Sequence, residues 1–183
     1  MNRRDFFGYE EIRDPITIED KFEEKKQGQD ANIAGKLCEK AIEDAFSMRG
    51  VFVTTYTKTK NAMGDFFERR LLIKNVPFTS IYGSRSHTEF VYQHPGELRV
   101  RIECKSQQTP GSVDEKFPYM IQNAKLQMPE KFIWFVMEGI GARTKAITWF
   151  KEEASKTKDK KIRVFNVLEA QRAIKRLVEG GIP

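Results

Sequence analysis

Histidine and cysteine are scarce in this chain of 183 residues. Its two histidines, His87 and His94, and two cysteines, Cys38 and Cys104, form no Cys-x-x-Cys pair and no Cys/His cluster. That argues against a structural zinc site. Both cysteines sit in apolar-periodic segments and read as reduced core residues. Long apolar runs are lacking as well. No window holds eighteen uninterrupted apolar residues, so no membrane span is expected. The opening Met1 to Phe7 has no apolar stretch of signal-peptide length. The expectation is a cytoplasmic protein with no membrane partner. Aspartate is absent between Asp65 and Asp114, a gap that matters below.

What is present is ordinary for a folded domain: 39% hydrophobic and 32% charged residues. The net charge of +6 suits a polyanionic partner without specifying one. Residues 1–32 are polar and charge-rich with no clean period, and read as an arm or peripheral helix. Residues 33–183 read as one domain. Over Ile33–Arg49 an apolar stripe at helical spacing predicts a helix, stopped by Gly50. Glu39 lies at the edge of that stripe, Glu43 further round towards solvent. Strands are predicted over Val51–Thr57, Phe78–Tyr82, Thr88–Gln93, Leu98–Lys105, Lys131–Met137 and Ile162–Val167. Helices are predicted over Asn61–Ile73, from a capping box at Ser112–Glu115 with a break at Pro118, around Ala146–Ser155, and over Leu168–Val178. The order describes a mixed α/β domain.

Leu98 to Lys105 alternates strictly, with Leu98, Val100, Ile102 and Cys104 apolar and Arg99, Arg101, Glu103 and Lys105 charged. This predicts a strand with one face in the core and one face wet. Taken alone, Glu103 and Lys105 are an ordinary solvated strand face. Glu89 alters that reading. It stands fourteen residues upstream, across a turn at His94-Pro95-Gly96-Glu97. A two-residue turn would pair Glu89 with Ile102 and put a carboxylate on the apolar face. One further residue in the turn, such as a bulge at Gly96, pairs Phe90 with Ile102 and brings Glu89 to Glu103. Two carboxylates so placed repel unless a cation lies between them. Lys105 or a divalent metal can serve.

These residues resemble the PD-(D/E)XK nuclease superfamily, whose pattern is an acidic residue on one strand, a hairpin, and Glu-x-Lys on the next strand. Here the Glu-x-Lys is Glu103-Cys104-Lys105, the preceding acid is Glu89, and the glutamate of the leading helix is Glu39. The resemblance covers about residues 33–137. Glu89 departs from it, because the usual residue is Asp and none is available nearby. The resemblance implies a restriction-endonuclease-like core, with a central mixed sheet of four to five strands flanked by helices. It also implies a Mg²⁺-dependent endodeoxyribonuclease of restriction or phage type, with Mn²⁺ as a substitute ion. Glu89, Glu103 and the Cys104 backbone carbonyl would hold the metal. Lys105 would orient or deprotonate the attacking water, and Glu39 would stand behind them or assist a second metal. Gln107 and Lys116 are additional polar candidates. Arg85, Ser86 and His87, read as a loop, are DNA-contact candidates, as are Lys58, Lys60, Arg69 and Arg70. Each also reads as plain polar surface. Trp134 and Trp149 read as core; Tyr119, beside Pro118, reads as core ahead of a stacking or bonding residue near the site. Cutting both strands at one site calls for a homodimer or for a monomer acting twice. Two alternatives stay open: a structure-selective nuclease of the junction-resolvase kind, and a DNA-binding module with a decayed site.

Overall fold

Six strands form one mixed sheet, in the order in which they follow along the chain. The computed structural model describes residues 18–60, 69–95, 98–106, 114–139, 144–181 and 183, with side chains from residue 33 onward except that of Lys60. Helix α1 (Ile18–Ser47) runs across the expected boundary between arm and domain. Strand β1 (Phe52–Thr55) and the short α2 (Tyr56–Lys60) follow. Then come β2 (Leu71–Thr79), β3 (Arg85–Gln93) and β4 (Arg99–Ser106). After a 3-10 turn (Asp114–Lys116) come α3 (Phe117–Leu126), β5 (Phe132–Glu138), α4 (Thr144–Ser155), β6 (Lys161–Asn166) and α5 (Val167–Val178). Strands β2, β3 and β4 are antiparallel neighbours, whereas β1 joins β2 and β4, β5 and β6 join one another in parallel. The α/β class is as expected, and the sheet carries one strand more than the four to five foreseen.

Both faces of the sheet are covered. On one, Cys38, Ile42, Ala45 and Phe46 of α1 and Ala170, Ile174 and Leu177 of α5 pack against Phe90, Tyr92, Val100, Ile102 and Trp134. On the other, Phe117, Met120 and Ile121 of α3 and Phe150 of α4 pack against Ile133, Phe135 and Val164. This second layer overturns the wet face expected of β4. Arg101 is 1% exposed. Its guanidinium grips the Glu130 carboxylate through Nε and Nη2, and its Nη1 donates to the Val76 carbonyl at 3.2 Å and to the Thr88 hydroxyl at 2.8 Å. A buried charge with this many partners is tolerable; without them it would not be. Strict alternation reports opposite faces, but cannot say that a helix covers the charged one.

Several other expectations change. Residues 61–68 of the expected second helix lie outside the described residues, and Leu71–Ile73 instead open β2. Leu71 and Leu72 are both fully buried, as neighbours on a strand sandwiched between two layers can be. Ser112 also lies outside the described residues. Helix α3 starts at Phe117, so Pro118 occupies its first turn, where proline is harmless, rather than kinking an interior. Trp149 is 39% exposed rather than core. Lys160, just before β6, donates to the Ala124 carbonyl at 2.8 Å and to that of Met128, binding the end of α3. Among the described residues no helix is long and apolar enough to cross a membrane.

The β2–β3 ribbon outruns its neighbours. β1 pairs with β2 only over Leu71–Lys74, and β4 with β3 only over Phe90–Gln93. At that boundary, between the Lys74–Phe90 and Val76–Thr88 pairs, Asn75 takes a left-handed φ of +56°. Asparagine tolerates this better than most residues. Beyond it the faces exchange. Phe78 packs with the α3/α4 layer, 5.7 Å from the Arg101 guanidinium, and Thr88 meets the same side chain. The outer part of the ribbon therefore leans over the α3 side.

Candidate active site

The β3–β4 ladder has Phe90 opposite Ile102, the register that the apolar pattern favours. His94 N–H donates to the Leu98 carbonyl at 3.0 Å, which continues the same register. Past Phe90 the strands part. The Cys104 N–H, which a continuing strand would satisfy, donates instead to Oε2 of Glu89 at 2.9 Å. In a strand a residue's N–H and C=O face the same neighbour, so the Cys104 carbonyl opens into the same gap. The other oxygen of Glu89, Oε1, lies 3.1 Å from Lys105 Nζ, and Glu103 Oε1 lies 3.1 Å from it on another side. One ammonium thus joins two carboxylates at the mouth of a strand fork.

Burial sets the electrostatics. Glu103 is 8% exposed. Burial pushes its carboxyl up, Lys105 pulls it down, and Glu89 adds to the upward push. For Lys105 burial disfavours the charge, yet Glu103 and Glu89 together hold the ammonium above the ordinary lysine range. Glu39, half-buried on α1, faces the same centre. Burial raises its carboxyl and Glu89 raises it further, against Lys105 and Lys74. The Cys104 thiol is hydrogen-bonded to Cys38 and buried, which holds it well above the usual thiol range. Both cysteines are free and buried, and they serve as core.

A family model, the PD-(D/E)XK nuclease superfamily domain, matches residues 30–178. The chain belongs to this superfamily. No curated protein and no solved structure matches it.

The remaining candidates of this nuclease-family chain divide by position. Lys116 is exposed at the N-cap of α3. Gln107 lies outside the described residues. Arg85, Ser86 and His87 are strand residues of β3 rather than a loop, paired with Thr79, Phe78 and Pro77. Arg85 and His87 are exposed and Ser86 half-buried. Lys58 is exposed on α2, whose last residue is Lys60; Arg69 and Arg70 are exposed just before β2. Tyr119 is half-buried and stacks on Tyr82, with ring centroids 5.2 Å apart.

Two features escaped sequence reasoning. Glu43 does not face solvent: it pairs with Lys74 of β2 at 2.6 Å. Its place four residues after Glu39, on the same helix face, is the signal that could have found it. The buried pair Arg101–Glu130 has no such signal, because its partners are twenty-nine residues apart.

Proposed function

We propose that this chain is a Mg²⁺-dependent endodeoxyribonuclease of restriction or phage type, formed by residues 33–183 with residues 1–32 preceding them. The observation that carries the reading is Lys105 held between Glu89 and Glu103 where β3 and β4 part. Membership of a nuclease superfamily supports phosphodiester hydrolysis, and the net charge of +6 supports a polyanionic substrate. Two free, buried cysteines suit a reducing cytoplasm.

The donors fit a hard cation. Among the described residues no group of three or more His, Cys, Asp or Glu side chains is arranged to hold a metal. Two carboxylates and a carbonyl, completed by water and phosphate oxygens, are nonetheless the mixture that Mg²⁺ prefers. Glu89, Glu103 and the Cys104 carbonyl would hold the ion, with Mn²⁺ an acceptable replacement. Bound there, it would acidify water and offset charge developing at phosphorus. Glu103 and Glu89 keep Lys105 protonated, so its role is to donate: it positions the attacking water or binds a phosphate oxygen. Glu39 adds negative charge behind this centre and favours its cationic occupants.

The test is supercoiled plasmid incubated with the protein and Mg²⁺ or EDTA. Cleavage with Mg²⁺, absent with EDTA and absent in Lys105→Ala and Glu103→Ala, is expected. Intact plasmid with a gel shift would instead mark a binding module with a decayed site.

A further inference from the structure

The tip of the β2–β3 ribbon is built more firmly than a surface turn requires. The Ser80 N–H donates to the Ser84 carbonyl and the Gly83 N–H to the Ser80 carbonyl, each at 2.8 Å. Gly83 supplies the left-handed φ of +76° that the turn needs. The Ser80 and Ser84 hydroxyls bond to each other at 2.8 Å. The tip is also tied to α3 through Asn123, which is 1% exposed. Its Oδ1 accepts the Ile81 N–H at 2.9 Å, and its Nδ2 donates to the Tyr119 carbonyl at 3.0 Å. One buried amide therefore fixes the chain beside both Tyr82 and Tyr119.

On this pinned support sits a large aromatic ring with an open face. Tyr82 stacks on Tyr119 with an interplanar angle of 21°, yet is 78% exposed. If the pair only clasped ribbon to helix, burial would be its purpose and the outer ring would be covered. Asn123 already supplies the clasp. Exposed cations stand close by in the chain: Arg85 three residues after Tyr82, and Lys116 three residues before Tyr119. Exposed aromatics beside cations are the means by which proteins hold unpaired bases, the ring taking the base and the cations the phosphates. The position is apt. Tyr82 lies seven residues from Glu89 along the chain. At about 3.3 Å per strand residue, the Cα atoms of Tyr82 and Glu89 are at most about 23 Å apart, or roughly seven base steps.

We propose that Tyr82, backed by Tyr119, is a stacking platform for an unpaired base of the DNA substrate, so that the protein acts where a strand leaves the duplex. This deepens the nuclease reading and rests on it.

The test uses the full chain in EDTA. Fluorescent blunt duplex is compared with the same duplex carrying a ten-nucleotide single-stranded tail. The wild type should bind the tailed DNA more tightly. Tyr82→Ala should weaken tailed binding by about 5- to 150-fold, the range for loss of one base–aromatic stack, and change blunt binding less than about twofold. Tyr82→Phe should retain the preference. A 2-aminopurine walked along the first seven tail positions should be quenched at one of them, and the quench should vanish in Tyr82→Ala. Equal effects on both DNAs, or no preference in the wild type, would overturn the platform. Cleavage assays separate the two readings. Cleavage of plasmid or of the tailed duplex without tail preference in binding sinks the platform alone, whereas tail preference with neither DNA cut in Mg²⁺ sinks the nuclease.

Discussion

Replacing Lys105 with methionine keeps an unbranched side chain and removes the one charge that the two site carboxylates share. Each attraction spans 3.1 Å. At an effective dielectric constant of about 20 its gross value is about 5 kcal/mol, most of it offset by desolvation. Removing one partner of a buried ion pair costs about 3–5 kcal/mol. The Lys105 side chain is 32% exposed, so solvent screening lowers this to about 2–4 kcal/mol. For a chain of this length that is a fall in Tm of roughly 4–16 °C. The pH dependence has a definite sign. Burial raises the Glu103 carboxyl in the folded state. Its protonation therefore favours folding: the contribution is complete below the unfolded value of about 4.3, and is lost as pH rises through the higher folded value. Lys105→Met removes a group that opposes this rise, so the window extends upward. Thermal melts at pH 5 and pH 8, with and without Mg²⁺, read all of this. The deficit should be largest at pH 8 without Mg²⁺, smaller at pH 5, and more fully recovered by Mg²⁺ than any gain the wild type shows. A deficit below about 0.5 kcal/mol at pH 8, or one that grows on acidification, would refute the bridged-carboxylate argument.

Glu89→Asp installs the residue more usual in this superfamily but shortens the reach by about 1.5 Å. One carboxylate then cannot keep both the 2.9 Å bond to Cys104 and the 3.1 Å contact with Lys105. Plasmid cleavage should slow by about 10- to 100-fold, and an aspartate variant as fast as the wild type would show that the longer side chain has no geometric role. Arg101→Ala strands Glu130 in the interior and should cost about 3–5 kcal/mol in urea unfolding. Arg101→Met combined with Glu130→Leu, which removes both charges, should cost clearly less; equal losses would mean that packing rather than charge dominates there.

The hairpin was legible because a strand's period is two. Only one register keeps Phe90 and Ile102 on the apolar face, and that register directs Glu89 towards Glu103, although the strands part before the two pair. The continuous apolar run of β5 was legible for a related reason, since a strand covered on both faces needs no alternation. Strand β2 was not. Lys74, Asn75 and Pro77 interrupt its apolar pattern, and they do so where the ribbon twists and exchanges faces. Nor could the burial of Arg101 be read locally, because its acceptors come from β2, β3 and the chain before β5. Glu103 and Lys105 were found by their order in the chain. Their shared contact depends on the strands parting, which no local pattern reports.

The outer ribbon also bears on how this protein behaves at high concentration. Among the described residues neither of its two strands has a further neighbour in the sheet beyond Asn75, so its free edges could template pairing with another molecule. The Ser80–Ser84 bond places the even-numbered residues of β2 in the inward hydrogen-bonding positions. Pro77 then falls at an outward position, where it offers no N–H to an incoming strand. On β3 the exposed Arg85 adds charge to the opposite margin. A ribbon that outruns its neighbouring strands is thus kept from pairing edge to edge with its own kind.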